Sequence, residues 1–72
     1  MNFSDRLKLL RGSHKKEQKD IADLLGISVR SIRFYESGKN EPSISRLILL
    51  ADYFDVSIDY LVGRTDNPKV NE

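Results

Sequence analysis

Residues 18–37 read QKDIADLLGISVRSIRFYES, and this stretch decides the fold. It predicts two short helices, because apolar residues recur at helical spacing on both sides of Gly26. The first helix should end at Gly26, since glycine adopts a left-handed backbone at low steric cost. Ser28 is a suitable N-cap for the second helix. The stretch therefore predicts a helix pair joined by the three-residue turn Leu25–Ile27.

The residue types in this pair fit a helix-turn-helix motif. Two helices that cross steeply need a small residue at their contact, a glycine in the turn and apolar anchors beneath. Ala22 is the small residue, and Gly26 is the turn glycine. The apolar anchors are Ile21, Leu25, Ile27, Ile32 and Tyr35. This composition indicates that both helices attach to one hydrophobic core.

Two longer amphipathic helices are predicted on either side of the pair. Phe3, Leu7 and Leu10 recur at i, i+4 and i+7, which predicts a first helix over residues 3–12. The clearest amphipathic period in the chain predicts a fourth helix over residues 44–54. The apolar residues of that period are Ile44, Leu47, Ile48, Ala51 and Phe54.

A short fifth helix completes the predicted domain. It begins behind the N-cap Ser57 and ends at Gly63. The predicted fold class is therefore all-α, a compact domain of five helices over residues 1–64. Residues 65–72 lack an apolar period, so they are predicted to form a flexible tail or a truncated linker.

Composition excludes several classes of protein. A chain of 72 residues supports one domain, which excludes a two-domain enzyme. There is no cysteine for a disulfide, a zinc thiolate site or a thiol nucleophile, and this suits a cytoplasmic location. No apolar run is long enough for a membrane span or a signal peptide. His14 is the only histidine and stands without other ligands, so we expect no metal, no cofactor and no enzyme activity.

Charge is distributed unevenly along the chain. Residues 1–40 contain nine Lys and Arg against five Asp and Glu, whereas residues 41–72 contain three against six. The resulting balances of +4 and −3 suggest that one surface faces a polyanion. Solvated charges on small polar helices would give the same asymmetry, so charge alone does not decide between the two interpretations.

From residue 3 to about residue 64, the sequence resembles the lambda-repressor-like, or Xre, helix-turn-helix family. A lone helix-turn-helix pattern is a weak signal, but the flanking helices in the same order make it specific. The resemblance lies in Gln18–Gly26, Ile32–Gly38, Pro42–Ser43, Leu50–Phe54 and Val56–Gly63. It implies a domain that inserts its third helix, about residues 28–36, into the major groove of DNA.

The outward side of this third helix supplies the candidate base contacts. A rotation of about 100° per residue places four such side chains away from the body. They are Val29, Arg30, Arg33 and Phe34. The arginines suit guanine O6 and N7, and the two apolar side chains suit thymine methyl groups. Without the motif, two arginines on an exposed helix would be interpreted as solvated charge.

Further positions match the phosphate contacts of the family. They are Gln18, Ser28, Lys39 and Asn40. Simpler roles are also open, because Ser28 is needed as an N-cap and because Lys39 and Asn40 are ordinary loop residues. Arg11 and Glu36 match a structural ion pair between the first helix and the end of the third. Lys16, Glu17 and Phe34 depart from the family pattern, and Glu17 would either repel a phosphate or favour the helix N-terminus.

The resemblance implies a sequence-specific transcriptional regulator, with repression as the expected role. Its partner would be double-stranded DNA, a two-fold symmetric operator bound by a homodimer, because two half-sites about 34 Å apart multiply the affinity. A candidate dimer surface comprises Leu9, Leu49, Leu50 and Tyr53. The alternative is a protein-interaction module, such as an antitoxin or an anti-repressor target, for which an exposed Phe34 would be suited.

Overall fold

Five α-helices follow one another in residues 1–69, the part of the chain that the computed structural model describes. They are α1 (Phe3–Ser13), α2 (Gln18–Leu25), α3 (Val29–Ser37), α4 (Ile44–Phe54) and α5 (Ile58–Leu61). The prediction of an all-α, five-helix fold is confirmed. Within the same residues, no helix combines the length and the apolar character that crossing a bilayer requires.

Side-chain caps fix where four of these helices begin. Asn2 Oδ1 accepts a hydrogen bond from Asp5 N at 2.9 Å and starts α1. The N-caps of α3, α4 and α5 are Ser28, Ser43 and Ser57, whose hydroxyl oxygens accept backbone N–H bonds at 3.0–3.3 Å. Each satisfies a backbone donor that the first helical turn would otherwise leave open.

The core receives one large, fully buried side chain from every helix. These residues are Leu7, Ile21, Ile32, Leu50 and Leu61. Burial of each stabilises the fold by about 1.5–3 kcal/mol relative to leaving it in water. Since α3 packs against both α1 and α2, the core holds the helix pair in a fixed orientation.

The buried face of α4 differs from the predicted one. The side facing the core is formed by Leu47, Leu50, Ala51 and Phe54. In contrast, Ile44 is 74% exposed and Ile48 is 44% exposed, although the predicted amphipathic period placed both on the apolar face of this helix. Residues 47–50 are all apolar, and their sequence is compatible with more than one buried face. Packing against the other helices selects between them.

The burial of this face of α4 also changes the candidate dimer surface. Leu50 was wrongly included, because it is fully buried. Leu9, Leu49 and Tyr53 keep exposures of 46%, 44% and 39%. These three remain available for contact with another molecule.

Residues 65–69 form no helix and run along the surface of the five-helix body. Ser57 N donates a hydrogen bond to Pro68 O at 3.0 Å. Asp66 Oδ1 lies 3.3 Å from Nη2 of Arg6, a side chain that is buried in spite of its charge. That residues 65–72 form a flexible tail stays a prediction, and residues 70–72 lie outside the described part of the chain.

Candidate nucleic-acid interface

The turn between α2 and α3 sets the position of α3. Gly26 has φ 67°, the left-handed conformation that favours glycine, and Ile27 N donates to Ala22 O at 3.0 Å. Leu25 still belongs to α2, so the turn consists of Gly26–Ser28, one residue later than predicted. Ser28 then caps α3 by accepting from Ser31 N at 3.2 Å. The Ser28 hydroxyl group already accepts the capping hydrogen bond, so a phosphate contact would have to use the same group.

The outward face of α3 carries two exposed arginines. Arg30 and Arg33 both extend into solvent, as the helical rotation predicts. Val29 differs, since its side chain is half-buried and packs against the core. The reason is that Val29 stands one turn before the fully buried Ile32, at the edge of the inward face. Only part of its side chain can therefore reach another molecule.

Phe34 lies between two cationic side chains. Its ring centre is 5.3 Å from the guanidinium carbon of Arg30 and 4.8 Å from Nζ of Lys39. Lys39 returns to this ring because Gly38 ends α3 with φ 80°, and the N–H groups of Lys39 and Asn40 both donate to Phe34 O. Cation–π attraction thus groups the Phe34 ring with a positive charge from the first turn of α3 and one from the loop after it.

Arg11 and Glu36 are joined by two hydrogen bonds. Arg11 Nε lies 2.7 Å from Glu36 Oε2, and Nη2 lies 3.1 Å from Oε1. This fork links α1 to the last turn of α3. The hydrogen bond to Glu36 raises the pKa of the Arg11 guanidinium, an effect that its partial burial opposes. Since the Glu36 side chain is 7% exposed, the pair restrains α3 from within the body of the protein.

Gln18 extends this pair to the outward face of α3. Its Nε2 donates to Glu36 Oε1 at 3.1 Å, and its Oε1 accepts from Arg33 Nε at 3.3 Å. A continuous hydrogen-bonded series therefore runs from Arg11 through Glu36 and Gln18 to Arg33. We refer to these four side chains as the Arg11–Arg33 series.

The positive end of helix α2 borders the same surface. Glu17 is its N-cap residue, and Glu17 N donates to Asp20 Oδ2 at 2.8 Å. Carboxylates in this first turn interact favourably with the helix dipole. Through its hydrogen bond with Glu17 N, the Asp20 carboxylate caps the first turn of α2.

Sequence reasoning missed two features of the structure, one of them at this surface. The links of Gln18 to Glu36 and Arg33 join residues 15 and 18 positions apart, which no local spacing rule predicts. The burial of Arg6 did leave a signal. Position 6 belongs to the same helical stripe as Phe3, Leu7 and Leu10, but its charged residue type argued against burial.

The fold is shared with known proteins. A helix-turn-helix family model matches residues 7–61. YobD of Bacillus subtilis, described as an HTH-type transcriptional regulator, is 38% identical over 66 residues. The match covers 92% of this chain and 59% of YobD.

Two solved structures superpose on the chain. A transcriptional regulator from Listeria innocua is 40% identical with a TM-score of 0.83, over 97% of this chain and 61% of that protein. The P22 c2 repressor, solved in complex with a synthetic operator, is 26% identical with a TM-score of 0.79, over 86% of this chain and 94% of the repressor. The chain thus spans about three fifths of YobD and of the Listeria regulator. It belongs to the lambda-repressor-like, or Xre, helix-turn-helix family.

Proposed function

We propose that this chain is the DNA-binding part of a transcriptional regulator that acts as a repressor. The observation that carries the proposal is the placement of Arg30 and Arg33 on the exposed face of α3, the second helix of the helix-turn-helix. A helix presented in this way fits the major groove, where arginine forks pair with guanine O6 and N7. The P22 c2 repressor, whose structure includes a synthetic operator, has the same fold.

In this proposal the base readers are Arg30, Arg33 and the half-buried Phe34. Val29 contributes less, because it is half-buried against the core. Phosphate contacts come from the margins of α3, where Ser28, Lys39 and Asn40 lie. Gln18, at the start of α2, is placed to join them through its second amide N–H. Residues 1–64 make up the DNA-binding domain, which acts in the cytoplasm on chromosomal or phage DNA.

The operator is a two-fold symmetric site bound by two copies of the protein. One α3 helix reads only a few base pairs, and a second half-site one helical turn away raises both affinity and specificity. The exposed side chains of Leu9, Leu49 and Tyr53 are available for contact between the two copies, or with other parts of a longer chain.

The test is selection of bound sequences from a random duplex library, followed by affinity measurements on the selected site and on scrambled DNA. We expect enrichment of an inverted repeat and preference of about a thousandfold or more over scrambled duplex. Arg30→Ala combined with Arg33→Ala should abolish the enrichment without unfolding the protein. Absence of enrichment for the unaltered protein would contradict the proposal and favour a protein-interaction module.

A further inference from the structure

The side chain of Gln18 has two different hydrogen-bond partners, and together they fix its orientation. Glu36 as a carboxylate can only accept hydrogen bonds, so the Gln18 NH2 group must face it, at 3.1 Å. The Gln18 carbonyl oxygen then faces the opposite way and accepts from Arg33 Nε at 3.3 Å. With the amide reversed, both bonds would be lost, because oxygen would face a carboxylate and NH2 would face a guanidinium.

Glu36, the residue to which Gln18 donates, is itself held by other contacts. The Glu36 carboxylate is buried and already accepts two hydrogen bonds from Arg11. Arg11 extends from α1, which packs directly on α3. The position of Gln18 is therefore set by the body of the domain, although Gln18 is itself half-exposed.

The bond from Gln18 also decides which atoms of Arg33 remain available. It occupies Nε and leaves Nη1 and Nη2 at the free end of the guanidinium. Two N–H groups side by side at that end match the two acceptors, O6 and N7, of a guanine edge. A side chain held in one orientation before binding also loses less conformational entropy when it binds.

We infer that Gln18 is a positioning residue that orients Arg33 to read a guanine. Gln18 is itself held in place by Glu36 and Arg11, the other members of the Arg11–Arg33 series. This inference rests on the proposed function and adds to it the base that Arg33 recognises and the residue that controls this recognition. Gln18 then affects base preference, beyond any contact of its own with a phosphate.

The first experiment measures base preference. Gln18→Met keeps an unbranched side chain of similar length but removes both hydrogen bonds. Arg33→Ala first identifies the guanine that Arg33 reads, as the base pair at which preference falls by roughly 5- to 150-fold. We expect Gln18→Met to lower preference at that same base pair by roughly threefold or more, and to leave preference at the other base pairs unchanged.

The matched comparison is Lys39→Ala, which removes a proposed phosphate contact just after the C-terminal end of α3. It should weaken binding to all sequences alike and leave the preference for guanine as it was. In the Arg33→Ala background, Gln18→Met should cause no further loss of preference, because its target is already absent. Two results would overturn the inference. One is that Gln18→Met lowers the affinity for all sequences equally, and the other is that it lowers the base preference by the same factor in the Arg33→Ala background as in the unaltered protein.

A second experiment needs no DNA. In the NMR spectrum of the free protein, the Nε–Hε signal of Arg33 should be displaced from that of Arg30 and protected from exchange with water. Gln18→Met should remove both differences, with thermal unfolding as the control for an intact fold. An unchanged Arg33 signal, in a protein that still selects its operator, would overturn this inference alone. Failure of the unaltered protein to select any sequence would overturn the proposed function and this inference with it.

Discussion

The guanidinium of Arg6 lies over the ring of Tyr60, with its central carbon 3.7 Å from the ring centre, and so connects α1 to α5. Arg6 is 4% exposed, and its Nη2 donates to Thr65 O and to the Asp66 carboxylate at 3.4 and 3.3 Å. Among residues 1–69, its Nε has no hydrogen-bond partner. Arg6 therefore stabilises the fold through packing and stacking as much as through its charge.

Arg6→Ala is expected to lower the free energy of unfolding by about 2–4 kcal/mol, because it leaves a cavity between α1 and α5. Arg6→Met keeps most of the volume and removes a buried charge whose hydrogen bonding is incomplete, so its loss should be below about 1 kcal/mol. Urea unfolding of the three proteins measures this difference. Equal losses for both variants would mean that charge, and not packing, is what Arg6 contributes.

The ion pair between Arg11 and Glu36 should couple in a double-mutant cycle. We expect Glu36→Ala to lower the free energy of unfolding by about 1–3 kcal/mol, because it leaves Arg11 without its partner in a partly buried site. Arg11→Ala should then cost much less in the Glu36→Ala background than alone. The control is Glu41→Ala, at an exposed carboxylate in the loop after α3. Additive losses would show that the pair contributes nothing as a pair.

Affinity for DNA should fall steeply with salt. If the basic surface around α3 neutralises phosphates, the plot of log affinity against log salt should have a slope of magnitude roughly 3 to 7 for a dimer. Lys39→Ala should reduce that magnitude by about one per chain. Lys69→Ala, in the acidic half of the sequence, should not change it. A slope near zero for the unaltered protein would contradict the electrostatic part of the proposed function.

Loss of a base-contacting side chain and loss of a phosphate-contacting side chain should affect DNA binding differently. Arg30→Ala is expected to cost about 1–3 kcal/mol on the selected site and to relax the preference at one or two base pairs of each half-site. Binding to random duplex should largely survive. Lys39→Ala should weaken binding to both kinds of DNA by a similar factor. Titrations of each variant against the selected site, its single-base variants and random duplex separate these outcomes. Unchanged base preference in Arg30→Ala and Arg33→Ala would refute the assignment of α3.

Phe34 should recognise a thymine methyl group. Replacing thymines of the selected site by uracil, one at a time, removes only that methyl. We expect one such replacement to weaken binding of the unaltered protein by about 0.5–1 kcal/mol, the value of roughly one buried methylene-sized group. The same replacement should have no effect on Phe34→Ala. If no uracil substitution distinguishes the two proteins, the role of Phe34 is restricted to its contacts with Arg30 and Lys39.

The sequence by itself determined the helices and the turn. Helix starts depend on local chemistry, so Ser28, Ser43 and Ser57 could be recognised as caps from their residue type and the apolar spacing behind them. Gly26 could be placed because helices commonly end in a left-handed residue, and that residue is usually glycine. The outward orientation of Arg30 and Arg33 followed from helical rotation once Ile32 was assigned to the core.

Only the tertiary structure decided which face of α4 is buried and what the polar side chains contact. The run of apolar residues 47–50 does not define one face, and contact with the rest of the core selected Leu50 over Ile48. The bonds of Gln18 to Glu36 and Arg33 join three side chains from two helices. Such contacts depend on how helices cross, a property of several packed elements together, whereas caps and turns depend on a few neighbouring residues.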